Sequence, residues 1–347
     1  MSQKNDTAVL VLALLITLGL VGGVYWWLAR SFDIRFGSIS NNQSQSRTQS
    51  NSPSTDQNFE SVQEVPSGLF SYGGSTTWAP IRKEVDSQLK STLPKYQLRY
   101  TNPTTGNPGS GTGIKMLLKN QLAFSQSSRP VKSKEYQEAQ QRGFKLQEIP
   151  VAIDGIAIAV NPNLNISGLT LAQIKDIFTG KITNWQEVGG ENLVIRPYSR
   201  TQAAGGTVDF FHENLLNNEK FGSNIEFVPN TTVALRKVAK NKGGIYYASA
   251  PEIVGQCAIK PLPIGRTSNF IPPYKNPLIL PSQCPQKRNQ LNTEAFKSGE
   301  YPITRRLFVV VKMNGQIDEQ AGIAYANLLL TNEGQKSISK AGFVRIR

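Results

Sequence analysis

The stretch VAIDGIAIAV, residues 151–160, decides the fold class. It is apolar at nearly every position, where a strand with one wet face would alternate. An apolar run of this length suits a strand buried on both faces of a parallel sheet. Working outward, LTLAQIKDIFTG (169–180) places Leu171, Ile174 and Phe178 on one helical face and ends at Gly180, a helix stop. QLRY (97–100), LAF (122–124), GGIYYAS (243–249) and RLFVVVK (306–312) read as further strands. IRKEVDSQL (81–89) reads as a helix, and DEQAGIAYANLLLTNEGQKSISKAG (318–342) as two more. Strands alternating with helices indicate an α/β architecture.

Four turns in this pattern share one composition. In GNPGSGTGIKMLLKN (106–120), glycines and Ser110, Gly111 and Thr112 lead into a helix whose apolar face is Ile114, Leu117, Leu118 and, farther on, Leu122. YGGSTTWAPI (72–81) puts Ser75, Thr76 and Thr77 ahead of a helix. FSQSSRPV (124–131) puts Ser127, Ser128 and Arg129 just after a strand. YSRTQAAGGTVDFFHENLL (198–216) carries Arg200 and then Gly205, Gly206 and Thr207 at the mouth of a helix. The first amides of a helix lack intrahelical partners, and the peptide dipoles add about half a positive charge there. Glycine permits close approach and hydroxyls add donors, so each turn can cradle an anion without lysine. Ser and Thr are also ordinary helix caps, so it is the set of four turns, two with an arginine, that points to an oxyanion site.

These segments, with IPVAIDGIAIAVN and above all IFTGKITNW (177–185), carry a resemblance. The globular part, about residues 68–347, resembles the PstS-like phosphate-binding proteins of phosphate ABC importers, which are type II periplasmic solute-binding proteins. The resemblance implies two α/β lobes joined at a hinge, with inorganic phosphate closed between them and passed to ABC permease subunits. Residues 66–153 and 249–347 would form one lobe and 154–248 the other, with crossovers near Ile153–Asp154 and Tyr247–Ala248. By position, Thr76, Thr77, Ser110, Arg200, Gly205, Gly206 and Thr207 match the family's ligand contacts. The third loop departs from the family: its usual aspartate is Ser128 here, followed by Arg129, a candidate second positive contact. The family's RxDGSGT becomes RTQAAGGT. Without that carboxylate, discrimination against sulfate rests on hydroxyls, which both donate and accept; Asp154 is a candidate replacement acceptor. The resemblance implies no cofactor and no metal.

Ahead of the globular part, residues 8–28 are uncharged and long enough to span a bilayer, ending in Tyr25, Trp26 and Trp27. They read as an uncleaved signal anchor within residues 1–36. Residues 37–65, rich in Ser, Gln and Asn, read as a disordered linker reaching about 30 Å. The expected location is the extracytoplasmic face of the plasma membrane. The net charge of +14 falls wholly after residue 65, which favours anionic partners. The basic residues are scattered and not interleaved with aromatics, so nucleic acid is not an expected partner. Cys257 and Cys284 have no CxxC spacing or neighbouring histidine, which argues against metal. They could form one disulfide if exported, or remain two thiols. No GxSxG or P-loop pattern is present, His212 sits in an amphipathic helical run, and neither Ser110 nor Ser128 has an evident base. A phosphate-ester hydrolase is therefore the weaker alternative to a binding protein. A membrane-anchored phosphate sensor, or a receptor for sulfate, keeps the same fold.

Overall fold

The computed structural model describes residues 58–201 and 205–346. The expected anchor at 8–28 and most of the expected linker lie outside the described residues, as do Gln202, Ala203 and Ala204 of the fourth turn. Among the described residues, no helix is long and apolar enough to cross a membrane.

The chain opens with β1 (Gly68–Gly74), a 3-10 turn at Thr76–Trp78 and α1 (Ala79–Thr92). Next come β2 (Tyr96–Tyr100), α2 (Ser110–Leu118), β3 (Phe124–Ser127) and α3 (Ser133–Gln141). The long β4 (Lys145–Val160) leads to β5 (Leu169–Thr170), α4 (Leu171–Thr179), β6 (Arg196–Ser199) and α5 (Gly206–Asn214). Then follow β7 (Glu226–Phe227), α6 (Thr231–Lys240), β8 (Gly244–Ser249), α7 (Ala250–Ile253), β9 (Lys260–Leu262) and β10 (Ile264–Gly265). The short α8 (Thr293–Ser298), β11 (Thr304–Met313), α9 (Ile317–Leu330) and α10 (Asn332–Lys340) complete the described fold.

The main sheet runs β2-β1-β3-β11-β4-β8-β6-β7, with β9 also on β4. Both ends of it are parallel: β2, β1 and β3 on one side, β8, β6 and β7 on the other. The middle is antiparallel. Strand β4 pairs β11 along Lys145–Gly155, then β8 and β9 along Ile156–Val160. The strand at 151–160 is therefore buried, as its apolarity requires, but its neighbours run against it. An apolar run reports burial on both faces; it carries no direction.

The buried side chains fall mainly into two cores. The first contains Tyr72, Trp78, Phe124, Leu307 and Tyr325, with Tyr72 stacked on Phe124 at 5.2 Å. The second contains Ile158, Phe178, Trp185, Phe211 and Tyr247, with Phe211 and Tyr247 rings 3.5 Å apart. Ile114, Leu117 and Leu118 of α2 are buried in a smaller cluster against Val310. Two expected boundaries move. Phe59 is completely buried in the first core and its amide donates to Glu333 Oε2 at 2.9 Å. An aromatic ring gains too much by burial to stay in a solvated linker, so the ordered fold starts before residue 66. Ile253, Leu262, Phe296 and Tyr301 pack in the second core, where the expected boundary would put them in the first lobe. The reason is β9, which pairs with the far half of β4; the chain returns to the first core only through β11. Cys257 and Cys284 form a disulfide, Cα atoms 5.7 Å apart, across this returning segment.

Candidate oxyanion site

The four turns converge. Ser75 follows the end of β1, Ser110 opens α2, and Ser128 follows β3; all three side chains are buried. Ser75 Oγ donates to Ser128 Oγ at 2.9 Å, and Ser110 Oγ lies 3.2 Å from the same oxygen. The Ser128 amide donates to Ser110 Oγ at 3.0 Å. Gly206, the first residue of α5, packs onto this triad: a Cβ built there would stand 2.3 Å from Ser110 Oγ and 2.5 Å from Ser128 Oγ. One residue earlier on each side the backbones touch, since a Cβ on Gly109 would come within 2.7 Å of the Gly205 Cα. Only glycine tolerates such approaches.

The helix mouths at this junction are open to it. Helices α2 and α5 start from Gly109 and Gly205, and the Thr76–Trp78 turn from Ser75, none with a side-chain cap. Of the other helices, α4, α6, α8 and α10 are capped by Thr170, Asn230, Asn292 and Thr331, while α1, α7 and α9 also lack a side-chain cap, so it is the convergence of uncapped mouths that marks the junction. First-turn amides without a cap keep their hydrogen-bonding capacity and the positive end of the dipole. Together with the serine hydroxyls, they make a junction rich in donors, suited to an oxyanion.

The other expected residues are placed as follows. Thr77 Oγ1 lies 3.2 Å from Thr207 Oγ1, joining the first turn to α5. Thr76 and Gly111 are half-buried at the same helix mouths. Thr112 turns back, its hydroxyl donating to Asn107 O at 3.0 Å. Ser127 Oγ donates to Arg129 O at 2.6 Å and so shapes the third loop from below. Arg200 is half-buried, and its charge lies near Tyr247, Tyr246 and Glu252, where it opposes the rise in their pKa values caused by burial.

Two expectations change. Arg129 directs its fork at Glu135, with contacts of 2.8 and 3.0 Å, and adds Pro130 O at 2.7 Å. Its Nε lies 3.5 Å from Asp209 of α5, and the neighbouring Lys132 pairs with Glu213 of the same helix. Arg129 thus ties the third loop to α3 and α5, where the sequence suggested a second contact to an anion. Asp154 is completely enclosed and both its oxygens are engaged: Ser249 Oγ donates to Oδ1 at 2.6 Å, and Arg305 Nη2 and Nε donate to Oδ2 at 2.8 and 3.0 Å. Burial pushes this carboxyl up, and Arg305 opposes the rise. It is not left as a spare acceptor.

Arg305 is the residue sequence reading passed over. It is buried, faces Asp154 across the β4–β11 ladder, and also donates to Thr207 Oγ1 at 2.9 Å, Thr77 Oγ1 at 3.2 Å and Gly206 O at 3.2 Å. A signal was present: the apolar run VAIDGIAIAV carries a single charge, Asp154, and the other strongly apolar strand, RRLFVVVK, carries only basic charges, Arg305 among them. Buried charges need partners, and Asp154 and Arg305 are each other's.

Comparison with known proteins identifies the family and the fold. A model of the PBP superfamily domain matches residues 44–333. A phosphate-binding protein PstS of Staphylococcus haemolyticus is 27% identical over 276 residues, 78% of this chain and 79% of that one. Protein SphX of Synechococcus elongatus is 26% identical over 285 residues, 80% of this chain and 77% of that one. Among solved structures, a candidate phosphate ABC transporter substrate-binding protein from Clostridium perfringens, with bound phosphate, superimposes with a TM-score of 0.63 at 24% identity, covering 81% of this chain and 100% of that one. An ABC-type phosphate transport receptor from Vibrio cholerae gives 0.61 at 20% identity, covering 79% and 99%. At these identities the structural likeness speaks for the fold.

Proposed function

Because the chain belongs to the PBP superfamily, we propose that it is an extracytoplasmic receptor that binds inorganic phosphate and delivers it to an ABC importer. The observation that carries this reading is the contact of three serine hydroxyls from three different loops, closed over by Gly206 at the uncapped mouth of α5. The names of the curated relatives support phosphate as the ion. The two cores would act as two lobes, hinged where β4 passes Gly155 and where the chain re-enters at β11. The ligand set would be Ser75, Thr76 and Thr77, then Ser110 with the first amides of α2, then Ser128, and on the other side Arg200 with Gly205, Gly206 and Thr207. Segment 8–28 would tether the receptor to the membrane. Binding without chemistry is favoured, since among the described residues neither Ser110 nor Ser128 is hydrogen-bonded to a carboxylate or imidazole that could act as base.

Titration calorimetry of the full chain with phosphate tests the reading. A saturable heat is expected at concentrations below about a millimolar. No heat with phosphate, arsenate or sulfate would refute it.

A further inference from the structure

Phosphate binding as argued above makes no use of Arg305 or Asp154, although they lie beside the residues assigned to it. The guanidinium of Arg305 reaches both sides of the junction, Thr77 before α1 and Thr207 in the first turn of α5. Guanidinium has donors only. At both threonines the oxygen therefore accepts from Arg305 and the hydroxyl proton points away from it. The two hydroxyls are 3.2 Å apart, so one proton can bridge them and the other remains for a third partner. Asp154 fixes the fork in place through two contacts and is itself held by Ser249.

We propose that Arg305, held by Asp154, is a positioning residue for selectivity: it presets the Thr77–Thr207 hydroxyl pair so that the one proton not shared between them is donated toward the bound ion. This rests on the oxyanion-receptor reading and deepens it. Phosphate near neutral pH keeps a proton that some acceptor must take, whereas sulfate has none. A hydroxyl free to rotate can accept that proton; one oriented by a neighbouring cation is biased to donate. The site then holds fully ionised oxygens well and discriminates weakly against sulfate, because the hydroxyl pair offers the ion a donor and not an acceptor.

The test is titration of the full chain with phosphate and with sulfate at one pH and ionic strength. The variants are Arg305→Lys, which keeps the charge and loses the fork, and Arg305→Leu combined with Asp154→Leu, which removes both charges so that neither is left buried alone. The wild type should bind sulfate as well as phosphate. In both variants sulfate should weaken about tenfold more than phosphate, the effect of losing one hydrogen bond to a charged group. With Thr77→Val and Thr207→Val already in place, Arg305→Lys should no longer change that ratio. Equal losses for the two ions, an unchanged effect of Arg305→Lys in the valine background, or a wild type that binds phosphate but no sulfate would each overturn the proposal. A wild type that binds neither ion would defeat the receptor reading itself, and this inference with it.

Discussion

At Gly206 one methyl group separates a closed junction from a propped one. A Cβ there would collide with the hydroxyls of Ser110 and Ser128. Gly206→Ala should leave the folded cores intact while holding α5 off the serine triad. Forcing a methyl into such a contact costs about 1–3 kcal/mol, so phosphate affinity should fall roughly tenfold to a hundredfold. Calorimetry beside a thermal melt checks this: unchanged affinity would mean the ion does not sit where α5 meets the serines. The placement of these serines and glycines at loop-to-helix turns was legible in sequence because it is local, set by short loops ahead of helices. Arg129 and Arg305 were not. Arg129 is claimed by Glu135 and by Asp209 from another element, and Arg305 by a partner far away in sequence on the adjacent strand. A buried arginine's function is set by the carboxylate that reaches it first, and neither spacing nor periodicity names that carboxylate.

At the scale of elements, apolar patterning located strands and helices well. QLRY, GGIYYAS and RLFVVVK are strands and the closing segment is two helices, α9 and α10, whereas LAF contributes only Phe124, the strand there being Phe124–Ser127. Helix α4 begins at a Thr170–Gln173 capping box and ends at Gly180 with φ of 81°, a stop that was readable from the residues alone. Strand direction was not readable, because β4 would show the same apolar run beside parallel or antiparallel neighbours. Ion pairs between elements were also invisible. Glu219, beyond α5, meets Lys175 of α4 at 2.5 Å and Lys181 at 2.8 Å. Hydrogen bonds first from Lys175 and then from Lys181 lower its carboxyl from the usual 4.5 to about 2. A folded-state value below the unfolded one adds stability above pH 4.5, and that contribution is lost as pH falls toward 2. Because Glu219 is exposed, salt should shrink the effect. Urea midpoints of the wild type and Glu219→Gln, compared at low salt, should converge as pH drops through this window. A gap that stays constant with pH would show that Glu219 acts by packing and not by charge.

For the whole molecule, one long strand and one returning strand hold the architecture together. Strand β4 contributes Val151 and Ala152 to the first core and Ile156 to Val160 to the second, while β11 lies beside the first of these stretches. The Asp154–Arg305 pair sits where these strands pass between cores, and Thr77 and Thr207 meet above it. Closure over an ion, as proposed, would thereby be coupled to the Asp154–Arg305 pair through one hydrogen-bonded group. The central claim is that loops from both sides share one tetrahedral oxyanion. Arsenate, a phosphate mimic with a strong anomalous signal, tests it most directly in crystals of the arsenate-bound protein. The account predicts a single arsenic peak within hydrogen-bonding reach of Ser75, Ser110 and Ser128 and of the first amides of α2 and α5. An arsenic peak away from those residues, or crystals that bind arsenate with none of those contacts, would contradict it.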